Sequence, residues 1–294
     1  MRIECNHGVF AITAGLVATG YDMYNTGVVD IDILSLARKV SQLQLDDSVR
    51  FWFECARTNQ VSLNPYWPRG HYAVMAAVLG RLPDDFDTQH LDWMQYITMA
   101  LLVMYEATAE LFGTYQEMVT RRGPRWEPAY QQGLAALQDF FEADWTERVL
   151  FVPNLLMSPY ATDYVQKGNT TVVIGAALDA ESIVHEVLHT SLAACRDIIT
   201  AYAAQHGTQG FACPVAMKEL NYMRDSSVKS CVVAIEECIV RALSSIMTGG
   251  GTKRLEAHAD MGFLGAGNVG RLYAENRPKS REIADFISYL IERI

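Results

Sequence analysis

The chain has 294 residues, and half of them are apolar, which is enough to bury a substantial core. Its formal net charge is -10 and its sequence pI is about 5.2. Nucleic acids and anionic membranes attract clustered Lys and Arg, which this acidic sequence lacks. We therefore expect neither a nucleic acid nor a membrane surface as a partner.

The apolar stretch at residues 9–20 is too short to span a membrane. It makes a poor signal peptide, since a single Arg and the acidic Glu4 precede it. We interpret it as a buried helix. The six cysteines fall mostly within apolar helical patterns without C-x-x-C spacing, which is typical of reduced core thiols. We expect a cytoplasmic protein.

The first half of the chain is predicted to be helical. Apolar residues recur at helical spacing in three segments, 32–43, 71–82 and 91–112. Proline-containing runs, at 64–70, 82–85 and 121–128, are expected to interrupt the helices.

Near residue 145 the pattern changes. Residues 147–153 and 170–175 are rich in β-branched side chains and end at Pro or Gly, which predicts two strands. Asp179 is then the expected N-cap of a helix that runs to about Ala203. We therefore divide the chain into a helical N-terminal region, 1–145, and a second domain, 146–294.

The rest of the chain is again predicted to be helical. After a polar loop at about 206–228, a strongly apolar helix begins at Cys231 and stops at the glycines that follow Thr248. Residues 281–294 are predicted to form an amphipathic helix.

The predicted helix after Asp179 carries the sequence H185-E-V-L-H. Residues four apart on an α-helix differ by about 40° in direction, so His185 and His189 can offer two imidazole nitrogens to one ion. Glu186 lies about 100° from His185, close enough to reach a water on that ion without binding the ion itself. The pattern indicates a hydrolytic zinc site, whereas two ordinary histidines on one helix are the alternative.

Catalytic zinc normally takes three protein ligands and one water, so a third ligand is required. The metzincin pattern would place Gly at 192 and His at 195, but the sequence has Leu192 and Cys195, which excludes that class. Glu236 and Glu237 interrupt the apolar helix downstream, and a carboxylate there is costly unless it is paired or binds a cation. We favour Glu237 as the ligand and keep Glu236 as the reserve; a solvated patch or an ion pair with Arg241 is the alternative.

A second motif, G265-A-G-N-V-G, matches the dinucleotide-binding fingerprint. The residues before it make a poor strand, and too few residues follow it for a βαβ unit. We interpret it as a tight glycine turn.

The segments H185-E-V-L-H and E237-C-I-V-R-A resemble those of gluzincin zinc metallopeptidases. In particular, they are similar to those of a family of uncharacterised bacterial proteins that combine H-E-x-x-H with a downstream E-x-x-V-R-A. The likeness extends loosely to F10-A-I-T-A-G-L and V172-V-I-G. It implies a mainly helical α+β fold, with a zincin-like metallopeptidase domain that has a small mixed sheet.

The resemblance also implies the chemistry of a zinc-dependent peptidase. Zn²⁺ would be held by His185, His189 and Glu237, and Glu186 would be the general base toward a peptide or protein substrate. The strand 170–175 would be an edge strand that binds extended peptide.

A donor to the developing oxyanion is also expected in such an enzyme. The candidates are Tyr273, Tyr222 and His258, and we choose Tyr273. The competing hypothesis for the whole chain is a catalytically silent, zincin-like module that binds a protein partner and has a structural metal.

Overall fold

The computed structural model describes residues 1–21, 30–58, 76–78, 91–159, 162–220, 222–276 and 283–294. Within these ranges the chain is mainly helical with one three-stranded mixed sheet, which confirms the α+β prediction. Over the same ranges, no helix has the length and apolar character needed to cross a membrane. Apart from residues 76–78, the helix predicted at 71–82 lies outside the described residues.

The chain divides into two compact units. The first comprises Met1–Pro128 and Glu147–Leu178, and the second comprises Ala129–Thr146 and Asp179–Ile294. The sheet belongs to the first unit, and every described helix after Leu178 belongs to the second. The predicted domains, 1–145 and 146–294, divide the chain differently from these two units, and they stay a prediction.

Among its described residues, the first unit has the start of four long helices: α1, His7–Ala18; α2, Ile31–Ser41; α3, Asp47–Thr58; and α4, Leu91–Phe141. The side chain of Asn6 caps α1 by accepting a hydrogen bond from the backbone N–H of Val9 at 3.0 Å. Every residue of α1 from Gly8 to Val17 is buried, which confirms the predicted buried helix.

Helix α4 continues through the predicted break at 121–128, so that prediction was wrong. Pro124 and Pro128 lie inside the helix, and each withholds one backbone donor, at a cost of about 3 kcal/mol or more. The side chains between them are anchored by tertiary contacts that a local pattern does not reveal. Trp126 packs edge-on against Phe151, with ring centroids 5.2 Å apart. Packing of this kind determines whether a helix forms more than intrinsic propensity does.

The sheet has the order β1-β3-β2, where β1 is Val149–Pro153, β2 is Thr162–Lys167 and β3 is Thr170–Gly175. Strand β3 pairs in parallel with β1 and antiparallel with β2. The sequence patterns predicted β1 and β3 and missed β2. A Gly-Asn pair, with Gly168 at φ +60°, joins β2 to β3 and is a recognisable two-residue hairpin signal.

The expectation that residues 170–175 form a substrate-binding edge strand was wrong. Strand β3 is central: Val172 is in register with Leu150 of β1 and with Val165 of β2. Its backbone groups are therefore engaged on both sides, and an added peptide cannot pair with it. The short run of buried β-branched residues is typical of a central strand.

In the part of the second unit that the structure describes, seven helices follow Leu178: α5, Ala180–Leu192; α6, Arg196–His206; α7, Pro214–Glu219; α8, Val228–Met247; α9, Gly251–Asp260; α10, Ala266–Asn276; and α11, Ile283–Ile291. Asp179 caps α5 as predicted, by accepting a hydrogen bond from the Ser182 N–H at 2.7 Å. The helix ends earlier than predicted, because a 3₁₀ turn at Ala193–Cys195 separates it from α6.

Two glycine-rich segments had different outcomes. Helix α8 ends at Met247 as predicted, and Gly249 adopts φ +85° directly after it. The segment 265–270 is not a tight turn, since α10 begins at Ala266 and continues through Gly270.

Gly15 of α1 provides a test of the packing in the first unit. A Cβ at this position would collide with the buried ring of Phe53 on α3. Gly15→Ala is therefore expected to lower the free energy of unfolding by about 1–3 kcal/mol, measured by urea denaturation. Gly113→Ala in α4 is the matched control, because nothing lies within 4 Å of its added methyl group. That substitution should stabilise the protein by about 0.5–1 kcal/mol; equal effects at the two positions would contradict the packing argument.

Candidate metal centre

Helices α5 and α8 share a row of polar side chains along the line where they pack together. At one end, Ser245 of α8 donates a hydrogen bond to Glu181 Oε1 of α5 at 2.6 Å. At the other end, His185 and His189 of α5 face Glu237 of α8. Because later residues of α5 meet earlier residues of α8, the two helices run antiparallel.

The functional atoms of His185, His189 and Glu237 converge on one point. The two histidine Nε2 atoms are 3.2 Å apart. Glu237 Oε1 lies 3.6 Å from His185 Nε2, and Oε2 lies 3.3 Å from His189 Nε2. The four-residue spacing on α5 therefore places both rings on the same side of the helix, as the sequence predicted.

These separations fit a small tetrahedral ion. Bonds of about 2.0–2.1 Å to Zn²⁺ at tetrahedral angles separate neighbouring ligand atoms by about 3.3–3.4 Å. Among the residues that the structure describes, the three side chains form a group of His, Cys, Asp or Glu close enough to hold a metal, and neither Cys195 nor Cys238 belongs to it. Three ligands leave one position of a tetrahedral ion for water or substrate.

The structure separates the roles of the two adjacent glutamates on α8. Both are buried. The guanidinium of Arg196 on α6 donates to both oxygens of Glu236, from Nε at 3.1 Å and from the second nitrogen at 3.4 Å. Glu236 is therefore engaged by a cation, whereas Glu237 points both of its oxygens toward the histidines.

Glu237 also forms the ion pair with Arg241 that the sequence offered as an alternative. Arg241 Nε lies 2.7 Å from Glu237 Oε1, one helical turn away on α8. Burial alone would raise the pKa of Glu237, but the charge of Arg241 and the neighbouring histidines hold that pKa well below its usual range. The carboxylate is therefore ionised, which is the form that binds a metal.

The two histidines differ in their tendency to bind protons. Burial lowers the pKa of His185 to about 3, so its imidazole is neutral. Burial also opposes protonation of His189, but a hydrogen bond to Glu237 and that carboxylate's charge more than offset the effect and raise its pKa. Of the two histidines, His189 is therefore the one that favours its protonated form. About 17% of the His185 side chain and 15% of the His189 side chain stay exposed, so solvent reaches the centre.

Glu186, the predicted base, is on α5 between the two histidines. Its side chain is buried, with 4% of the residue exposed. Its negative charge is one of those that raise the pKa of His189. A nearby cation changes the pKa of a buried carboxylate, and a carboxylate of this kind can act as a proton acceptor in catalysis.

The three candidates for oxyanion stabilisation lie in different surroundings. The Tyr273 ring stacks on Phe140 at 5.8 Å and meets Phe286 edge-on at 5.9 Å, and its predicted role stays a prediction. His258 lies 3.0 Å from Ser245 Oγ, beside Glu181 rather than Glu237. Tyr222 is next to the centre, because its hydroxyl accepts a hydrogen bond from Arg241 at 2.7 Å.

The sequence singled out the three converging side chains and offered an ion pair between Glu237 and Arg241, but it did not predict the contacts of Arg196 and Tyr222. The E-x-x-x-R spacing on α8 is an i,i+4 pattern that indicates the ion pair between Glu237 and Arg241. No local spacing links Glu236 to Arg196, or Arg241 to Tyr222, since these contacts depend on the fold.

Glu181 extends the polar row by one turn of α5. Ser245 and Arg254 contact its two oxygens, the latter at 3.2 Å. Burial alone would raise the pKa of Glu181, but hydrogen bonds from His258 and Ser245 and the charge of Arg254 lower it to about 2. These contacts tie the first turn of the histidine helix to α8 and α9.

Comparisons of the chain with protein-family models, with curated proteins and with solved structures found no match.

Proposed function

We propose that this protein is a zinc-dependent peptidase with a zincin-like fold in its second unit. The observation that carries the proposal is the convergence of His185 Nε2, His189 Nε2 and the Glu237 carboxylate at separations of 3.2–3.6 Å. Two neutral nitrogens and one carboxylate are a donor set that zinc accepts at catalytic sites. The resemblance of the two motifs to those of gluzincins supports a peptide or protein substrate.

Each residue then has a distinct task. When bound, Zn²⁺ lowers the pKa of a coordinated water to about 7 and polarises a substrate carbonyl. Glu186 accepts the proton of the attacking water and returns it to the leaving amine. Glu237 and the two histidines would hold the ion, and Arg241, which also contacts Tyr222, pairs with the carboxylate of Glu237.

The second candidate is a catalytically silent protein-binding module with a structural metal. Structural zinc sites are closed by four protein ligands, usually with several cysteines. The group described above has three members and no cysteine. A three-ligand set with a buried carboxylate beside it favours the peptidase, and the following experiments distinguish the two.

Glu186→Gln tests the proposed base. The variant is expected to bind one Zn²⁺ per chain like the wild type but to cleave peptides about 100 to 10,000 times more slowly, because the amide cannot accept the proton. Metal content by mass spectrometry and cleavage of a broad peptide library measure the two properties. A zinc-loaded wild type that cleaves no member of the library, like the variant, would support the silent module.

Glu237→Gln and Glu236→Gln form a matched pair on adjacent positions of α8. The first removes a proposed ligand and should weaken Zn²⁺ binding by more than about 100-fold, beyond the loss expected for a residue outside the ligand set. The second removes a carboxylate that faces Arg196 and should leave Zn²⁺ affinity nearly unchanged. Competition with a coloured chelator gives both affinities. Similar values for the two variants would remove Glu237 from the ligand set.

Proton release tests the assignment of the histidines. Near pH 6, which is below the raised pKa of His189, Zn²⁺ must displace the proton on that residue, while His185 is already neutral. We therefore expect close to one proton released by the histidine pair, and binding that strengthens about tenfold per pH unit until the pH exceeds that pKa. Titration calorimetry in buffers of different ionisation enthalpy counts the protons. Affinity that does not change with pH in this range would contradict the assignment.

A further inference from the structure

Arg241 is the most constrained cation beside the candidate centre. Its Nε lies 2.7 Å from Glu237 Oε1, and its terminal nitrogen donates to the Tyr222 hydroxyl at 2.7 Å. The guanidinium carbon lies 5.5 Å from the centre of the Tyr222 ring and 5.0 Å from that of Phe263. An ion pair, a hydrogen bond and two aromatic rings thus restrict the positions open to this side chain.

The contact with Arg241 gives the two oxygens of the Glu237 carboxylate different neighbours. Oε1 lies 2.7 Å from Arg241 Nε and 3.6 Å from His185 Nε2, while Oε2 lies 3.3 Å from His189 Nε2. A carboxylate that is free to rotate can bind an ion through either oxygen or through both. With Oε1 held, Oε2 is the oxygen available to an ion between the histidines.

We propose that Arg241, held by Tyr222 and Phe263, is a positioning residue that fixes Glu237 as a one-oxygen metal ligand. This inference rests on the proposed function, since it requires a metal at the centre. Tyr222 suits the holding role, because the guanidinium carbon of Arg241 lies 5.5 Å from the centre of its ring. Its hydroxyl also accepts a hydrogen bond from Arg241 at 2.7 Å.

A purely electrostatic role for Arg241 leads to a different expectation. A guanidinium next to a divalent ion repels it, so removal of the charge alone would strengthen metal binding and leave the coordination geometry unchanged. If Arg241 positions Glu237, its removal frees Oε1, changes the coordination geometry and weakens binding. Metal affinity and coordination geometry together therefore distinguish the two roles.

The experiment uses the full chain loaded with Co²⁺, whose visible absorption is strong when four-coordinate and weaker when five-coordinate. The wild type is expected to give the four-coordinate spectrum. Arg241→Gln should give weaker absorption, because both Glu237 oxygens reach the ion, and Zn²⁺ affinity should fall about 10- to 100-fold. Arg241→Lys should resemble Arg241→Gln, since one ammonium group cannot contact both Glu237 and Tyr222 as the planar guanidinium does.

Arg196→Gln is the matched control. It removes the other arginine that contacts a glutamate of α8, and it should keep the wild-type spectrum and affinity. Tyr222→Phe removes one hydroxyl and retains the ring, so it tests the same contact if the Arg241 variants do not fold. It should shift the spectrum in the same direction as Arg241→Gln.

The outcomes separate the inference from the proposed function. A wild type that binds neither Co²⁺ nor Zn²⁺ overturns both. A wild type that binds one ion, with folded Arg241→Gln and Tyr222→Phe variants that share its spectrum, overturns the positioning role alone. If Arg241→Lys retains the wild-type spectrum, a positive charge is enough to position Glu237. That result would overturn the need for a guanidinium that contacts both Glu237 and Tyr222.

Discussion

The contact between α5 and α8 is the interaction on which the candidate centre depends. Both helices are largely apolar, and Ile183, Val187 and Leu188 of α5 are completely buried. This burial fixes the position of the helices without assigning any partner to their polar side chains. The ionisable groups between them must then be satisfied by one another, because an isolated buried charge costs several kcal/mol.

The two glutamates of α8 show how that requirement is met. Glu236 takes its counter-charge from Arg196, and Glu237 takes its own from Arg241. Since each carboxylate has an arginine, the charge of these two glutamates is compensated by protein groups alone. The histidines complete the polar row; burial keeps His185 neutral, and Glu237 favours the protonated form of His189.

Local sequence patterns predicted the elements that carry the centre. Asp179 as the N-cap, the four-residue spacing of His185 and His189, and the glycines after α8 all act over a few residues, so their consequences could be read directly from the chain. The same patterns failed at α4, where a helix persists through two prolines because its flanking side chains are held by distant segments. They also failed for β3, since a run of apolar β-branched residues does not reveal how many neighbours a strand has.

The choice between Glu236 and Glu237 lay at the limit of sequence analysis. A helical wheel separates the two by about 100°, but it does not say which direction faces α5. Tertiary packing determines that direction, and with it the partner of each carboxylate. Tyr222 is a similar case, because it lies between helices and reaches Arg241 only in the folded chain.

The antiparallel arrangement of α5 and α8 has a consequence for the stability of the second unit. His189 and Glu237 are distant along the chain, and the segment between Leu192 and Val228 connects their two helices. An ion held by both residues would therefore act as a cross-link between the helices. Such a link exists in the native state alone, and an ion at 100 times its dissociation constant would add about 2.7 kcal/mol to the free energy of unfolding. The melting temperature of this unit would then report the local supply of metal.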